Sequence, residues 1–152
     1  MGIDLSRLKV GGDFVSSLIR ADGDLNPANL LTAQTIGAIT IQGSVQLSSF
    51  LAGDNNPDVQ VGKVSVGRDW IASSLIVGLP TGSGGDPAIL ASVASIVIKG
   101  HAFGTAAGSD QFIFFAERIA AFKSGGAVFP MTAGADVFNL GPTFDLTVRD
   151  FA

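Results

Sequence analysis

The chain has 152 residues, the size of one ordinary domain, with 20 Gly, 11 Phe, one His and no Cys or Tyr. Only 14% of residues are charged, against a usual share of about 25%, and 47% are hydrophobic, which excludes a disordered chain. The net charge of -4 argues against a nucleic-acid or anionic-membrane footprint, and the absence of Cys removes disulfides, thiolate zinc sites and Cys nucleophiles together.

In chain order, the first seven residues hold no basic stretch leading into an apolar run, so no secretory leader is legible. Residues 5–12 then open a pattern that returns at 36–43, 61–68, 93–100, 119–126 and 143–150. Its fourth position is Leu8, Ile39, Val64, Ile96, Phe122 and Leu146. Its sixth is Val10, Ile41, Val66, Ile98, Ser124 and Val148. Sixth positions are spaced by 31, 25, 32, 26 and 24 residues, and five copies carry Gly in their last two positions.

The first three copies match further on. Asp13-Phe14-Val15-Ser16-Ser17-Leu18-Ile19 parallels residues 44–51 and the stretch from Asp69-Trp70 to Ile76. Each repeat reads as an alternating strand, a Gly corner, a second short strand and a variable loop. The long loops are 22–34 and 78–92, the second rich in Gly and Pro, and residues 27–34 suit a helical turn. Residues 111–122 fit strand alternation better than helix, because Phe112 and Phe114 alternate ahead of Ile119. The longest apolar runs are about five residues, far short of the ~20 needed to cross a bilayer as a helix.

Units of about 25 residues made of short strands bury no core alone, whereas stacked coils align equivalent apolar residues into inner ladders. The expected fold is therefore all-β, a single domain over 1–152, built as a parallel β-helix or β-solenoid of about six coils. An antiparallel β-sandwich or jelly roll is the alternative. The inner ladders expected are Leu8/Ile39/Val64/Ile96/Phe122/Leu146 and one opening with Phe14/Val45/Trp70. Phe112, Phe114, Phe115, Phe122 and Phe129 are expected as core members. Phe129-Pro130-Met131 and Phe138 are the expected contributors to an exposed sticky patch.

The repeat, with Asp-Trp/Phe-x-x-Ser-Ser-Leu-Ile following its Gly, resembles the glycine-rich parallel β-helix repeats of large bacterial cell-surface and adhesin-type proteins. The resemblance implies a right-handed helix and a structural role outside the cell or on its surface. It covers nearly the whole chain as a pattern.

Candidate chemistry is sparse. His101 falls at the repeat position of Asp13, Ser44 and Asp69, so stacking lines up Ser44, Asp69 and His101. Serine hydrolysis needs the imidazole between nucleophile and carboxylate, and here the carboxylate is in the middle. No catalytic residue is expected. The loops offer Asp22, Asp24 and Asn26, and Asp54, Asn56 and Asp58, as weak oxygen ligands for calcium. The same residues are ordinary turn vocabulary, and no cofactor is expected. Outward positions on the first strand are Ser6/Arg7/Lys9, Ala38/Thr40, Lys63/Ser65, Ser95/Val97, Ala121/Lys123 and Asp145/Thr147. They hold no carboxylate pair for a polysaccharide-cleaving enzyme. The Ser pairs at 16–17, 48–49 and 73–74 are expected to form a hydroxyl ladder satisfied internally.

An open coil presents unpaired backbone groups. The expected role is a self-associating, non-catalytic subunit of a filament or surface assembly. Head-to-tail contacts are expected from Leu5, Leu8 and Val10 at one end and Leu146, Val148 and Phe151 at the other. A binding module of a larger surface protein is the alternative, with a surface polysaccharide as a further partner. No nucleic acid and no membrane insertion are expected.

Overall fold

The computed structural model describes residues 5–21, 36–53, 57–78, 89–106 and 110–151. The expected helical turn at 27–34 lies outside them. All regular structure among the described residues is strand. The first coil holds β1 (Leu8–Val10), β2 (Phe14–Val15) and β3 (Leu18–Ala21), and the second β4 (Ile36–Ile41), β5 (Val45–Gln46) and β6 (Ser49–Ala52). The third holds β7 (Gln60–Val66), β8 (Trp70–Ile71) and β9 (Ser74–Val77), and the fourth β10 (Ser92–Ile98), β11 (Ala102–Phe103) and β12 (Phe112–Phe115). After them come β13 (Arg118–Ile119), β14 (Phe122–Ser124), β15 (Ala127–Phe129), β16 (Val137–Leu140) and β17 (Leu146–Arg149).

Each full coil thus has three strands where the sequence pattern predicts two. The residue after the second strand is left-handed in the first three coils, with φ of 48° at Ser16, 48° at Leu47 and 46° at Ala72. That bend splits the expected second strand in two.

The chain visits three sheets in turn. The first runs β1-β4-β7-β10-β14-β15, the second β2-β5-β8-β11 and the third β3-β6-β9-β12-β17-β16. Equivalent strands of successive coils pair in parallel, which is the arrangement of a β-solenoid. A sandwich or jelly roll is built on antiparallel neighbours, and only β14–β15 and β16–β17 pair that way among the described strands. The first-sheet ladder is Leu8–Ile39–Val64–Ile96–Phe122, in the expected register.

The sixth copy does not continue that ladder. Gly125 and Gly126 (φ 59° and 84°) fold the chain back, so that β15 takes the next place in the first sheet and Phe129 lies opposite Phe122. A second hairpin at Gly141 (φ 74°) delivers β17 to the third sheet, with Leu146 beside Phe112 and Val148 beside Phe114. The expected six coils are therefore four complete coils and a fifth with no strand in the second sheet. Apolar alternation fits any inward-facing strand, so it does not say which sheet receives Leu146.

The interior is a column of rings. Phe14, Phe50, Trp70, Phe114, Phe122, Phe129 and Phe138 follow one another with neighbouring centroids 4.7–5.6 Å apart. Phe50, Trp70, Phe114 and Phe122 are fully buried, each contributing about 1.5–3 kcal/mol of apolar transfer. The Trp70 indole N–H donates to the Ser73 carbonyl at 2.8 Å, so its one polar group is satisfied. Glycine at the corner into the second sheet serves close approach. A Cβ on Gly43 would lie 2.7 Å from backbone atoms of Gly12 and Asp13.

Candidate functional site

The corner column forms in the expected order, and its polar atoms join coil to coil. The Ser44 N–H donates to Asp13 Oδ1 at 2.7 Å, the Asp69 N–H to Ser44 Oγ at 3.4 Å and the His101 N–H to Asp69 Oδ1 at 2.9 Å. Asp69 therefore holds the backbone of His101 rather than orienting its imidazole. The ring lies over Gly125, where a Cβ would come 2.9 Å from His101 Cδ2. The carboxylate stands between serine and imidazole, the wrong order for a hydrolytic triad.

The next corner carries the hydroxyl ladder, in a sharper register than the Ser pairs indicate. Its members are Ser17, Ser48 and Ser73, because Leu18 pairs with Ser49 and Ser49 with Ser74. Ser17 N–H donates to Ser48 Oγ at 3.2 Å and Ser48 N–H to Ser73 Oγ at 3.0 Å. Each hydroxyl donates within its own coil, Ser48 to Gln46 O and Ser73 to Ile71 O, both at 2.7 Å.

In the fourth coil a carboxylate replaces the hydroxyl. Thr105 N–H donates to Asp145 Oδ2 at 2.7 Å, and the Thr143 hydroxyl donates to Asp145 Oδ1. The Thr143 bond holds the Asp145 carboxyl below its ordinary pKa; burial pushes the other way, and the bonds from Thr105 add to the lowering. The sequence pattern places Asp145 outward on a sixth first-sheet strand, whereas it is buried beneath a turn. At the corner from third to first sheet, Glu117 Oε2 accepts from Ala91 N–H at 2.7 Å and Asp150 Oδ2 from Ile119 N–H at 3.2 Å. These carboxylates carry no pattern of their own, since their partners are backbone groups of another coil.

A cleft of about 540 Å³ opens where the second sheet stops short. Its floor is β11, and its walls include Phe129 on one side and Leu140 and Pro142 on the other, with Asp69 and His101 at one end. Trp70 N–H donates to His101 O and Ala72 N–H to Phe103 O, so the Ala102 peptide groups face the cleft, away from β8. The nearest hydroxyl, on Ser124, is buried and donates to Gly100 O at 3.3 Å.

Of the calcium candidates, Asp22, Asp24, Asn26, Asp54 and Asn56 lie outside the described residues, and Asp58 is buried. Among the described residues no three His, Asp or Glu side chains gather to hold a metal ion. No described helix is long and apolar enough to cross a membrane.

The association residues divide. Leu8 and Val10 lie on β1, the outermost described strand of the first sheet, and Leu5 bridges to Ile36. Leu146 and Val148 are fully buried, and β17 is paired on both sides by β12 and β16, so they form no free edge. Phe151 stacks on Phe115 with centroids 5.3 Å apart. The edges at that end are β15 and β16, where Val128 is 72% and Val137 59% exposed. In the expected sticky patch, Phe129, Met131 and Phe138 pack against the core instead. No protein-family model, curated protein or solved structure matches the chain.

Proposed function

We propose that this chain is a non-catalytic structural element that associates end to end through its outermost strands, as part of a filament or assembly outside the cell or on its surface. The observation that carries this reading is the two sets of strands paired on one side only among the described residues: β1, β2 and β3 at one end, β15 and β16 at the other. Unpaired edges are templates for further pairing. The polar groups that suggested chemistry support the same reading, because they are spent on the backbone of adjacent coils.

The joint differs from a simple continuation of the coils. β15 and β16 run antiparallel to their neighbours, so β1 and β3 of the next copy would meet them in antiparallel pairs. The second sheet, already two strands short, would leave its cleft open at the joint.

Light scattering on size-exclusion fractions over a wide concentration range tests the reading. Mass rising in whole multiples without a ceiling is expected. Lysines placed by Val128→Lys and Val137→Lys would face the basic Arg7, Lys9 and Arg20 of the next copy and hold the protein monomeric at unchanged melting temperature. A wild-type monomer at every concentration overturns the proposal.

A further inference from the structure

The outer face of the first sheet gathers five of the nine cations of the chain. One row across it is Lys9, Thr40, Ser65, Val97 and Lys123, and a second holds Ala38, Lys63 and Ser95. Arg7 precedes β1, and Arg118 lies beside Ser92. Arg7, Lys9, Lys63, Arg118 and Lys123 are all exposed, and none forms an ion pair among the described residues. No described carboxylate lies on this face. Asp13, Asp69, Glu117, Asp145 and Asp150 instead sit at corners, accepting backbone N–H groups. Among the described residues this face therefore carries cations and no carboxylate.

The cations also have a period. On the strands they occur in coils one, three and five; coil two presents Ala38 and Thr40, and coil four presents Ser95 and Val97 with Lys99 one residue beyond β10. At about 4.8 Å per coil, the strand-borne cations recur about every 10 Å along the stack. Thr40, Ser65 and Ser95 place hydroxyls between them, each able to donate and accept.

The geometry points to a binding face for a linear anionic polysaccharide lying across the strands, with a carboxylate or sulfate on alternate sugars meeting successive cation-bearing coils. Charges on every second ring of an extended glycan recur at about the length of two coils. A nucleic acid carries much denser charge, and single strands are gripped by aromatic stacking, for which this face has no ring. Because the face is flat and each contact weak, affinity rises with polymer length. This inference does not rest on end-to-end association.

Affinity electrophoresis of the whole chain through hyaluronate, which carries a carboxylate on every second sugar, with neutral dextran and single-stranded DNA as comparisons, tests it. Retardation in hyaluronate alone, weakened by salt, is expected. Lys63→Glu weakens it about tenfold. Arg149→Glu, an equal change in net charge on an exposed residue of the third sheet, leaves it within about twofold. Lys123→Glu repeats the test at a second coil, with melting temperatures confirming that each variant is folded. No retardation, equal weakening by Lys63→Glu and Arg149→Glu, or tighter binding to DNA overturns the proposal.

Discussion

Single carboxylates join coils that are distant in sequence, and Asp145 shows what that does to stability. Its carboxyl is held below the ordinary aspartate value of about 3.9 by the Thr143 hydroxyl, with the Thr105 N–H adding to the effect. A folded-state value below the unfolded one means stabilisation that is complete above the unfolded value and lost as pH falls through the folded one. Asp145→Asn should melt at a lower temperature than the parent at pH 7, and the gap should close as the pH falls below about 4. A thermal-melt series against pH checks this. None of it was legible in the sequence, where Asp145 reads as an outward strand residue. The bond that joins the coils runs from Thr105 N–H to Asp145, 40 positions away, and leaves no spacing signal.

The repeating elements are strands joined by bends of set geometry, and one bend carries a mismatched residue. Leu47 holds φ at 48° with its side chain 62% exposed, so it bears the left-handed penalty without a core contact in return. An L-residue in that conformation costs about 1–2 kcal/mol, less for Asn, whose short polar side chain bonds locally. Leu47→Asn should raise stability by about 0.5–1 kcal/mol, read from the denaturant midpoint at unchanged slope. The register of the first sheet was legible, from Leu8 through Phe122, because inward alternation and the Gly corner recur together. The left-handed bend was not, because Ser16, Leu47 and Ala72 share no side-chain chemistry. Nor was the placement of β17, since its alternation suits the third sheet as well as the first.

Across the whole molecule, stability is graded along the stack. The second, third and fourth coils are paired on both faces in the first sheet and enclose Phe50, Trp70 and Phe114, whereas β1, β2 and β3 are paired on one side only among the described residues. In repeat architectures stability is a sum of unit and neighbour terms, so singly paired units open first. In the monomer, hydrogen exchange should release the amides of β1–β3 well before those of β7 and β8. Equal protection from first to third coil would contradict this grading.

The sequence by itself determined that the chain coils and stacks, because a ladder needs like residues at like positions and such a repeat is visible in one dimension. It also determined why Gly is abundant and charge scarce: corners demand close approach, and inner ladders demand apolar side chains. Only the tertiary structure decided where the stacking stops. Two hairpins turn the last strands antiparallel, bury Leu146 and Val148, and leave the second sheet short above β11. It alone, too, divided the charges, with described carboxylates bonded at corners and five exposed cations gathered on the first-sheet face. Net charge sums over the chain, while binding responds to where each charge sits and what already neutralises it.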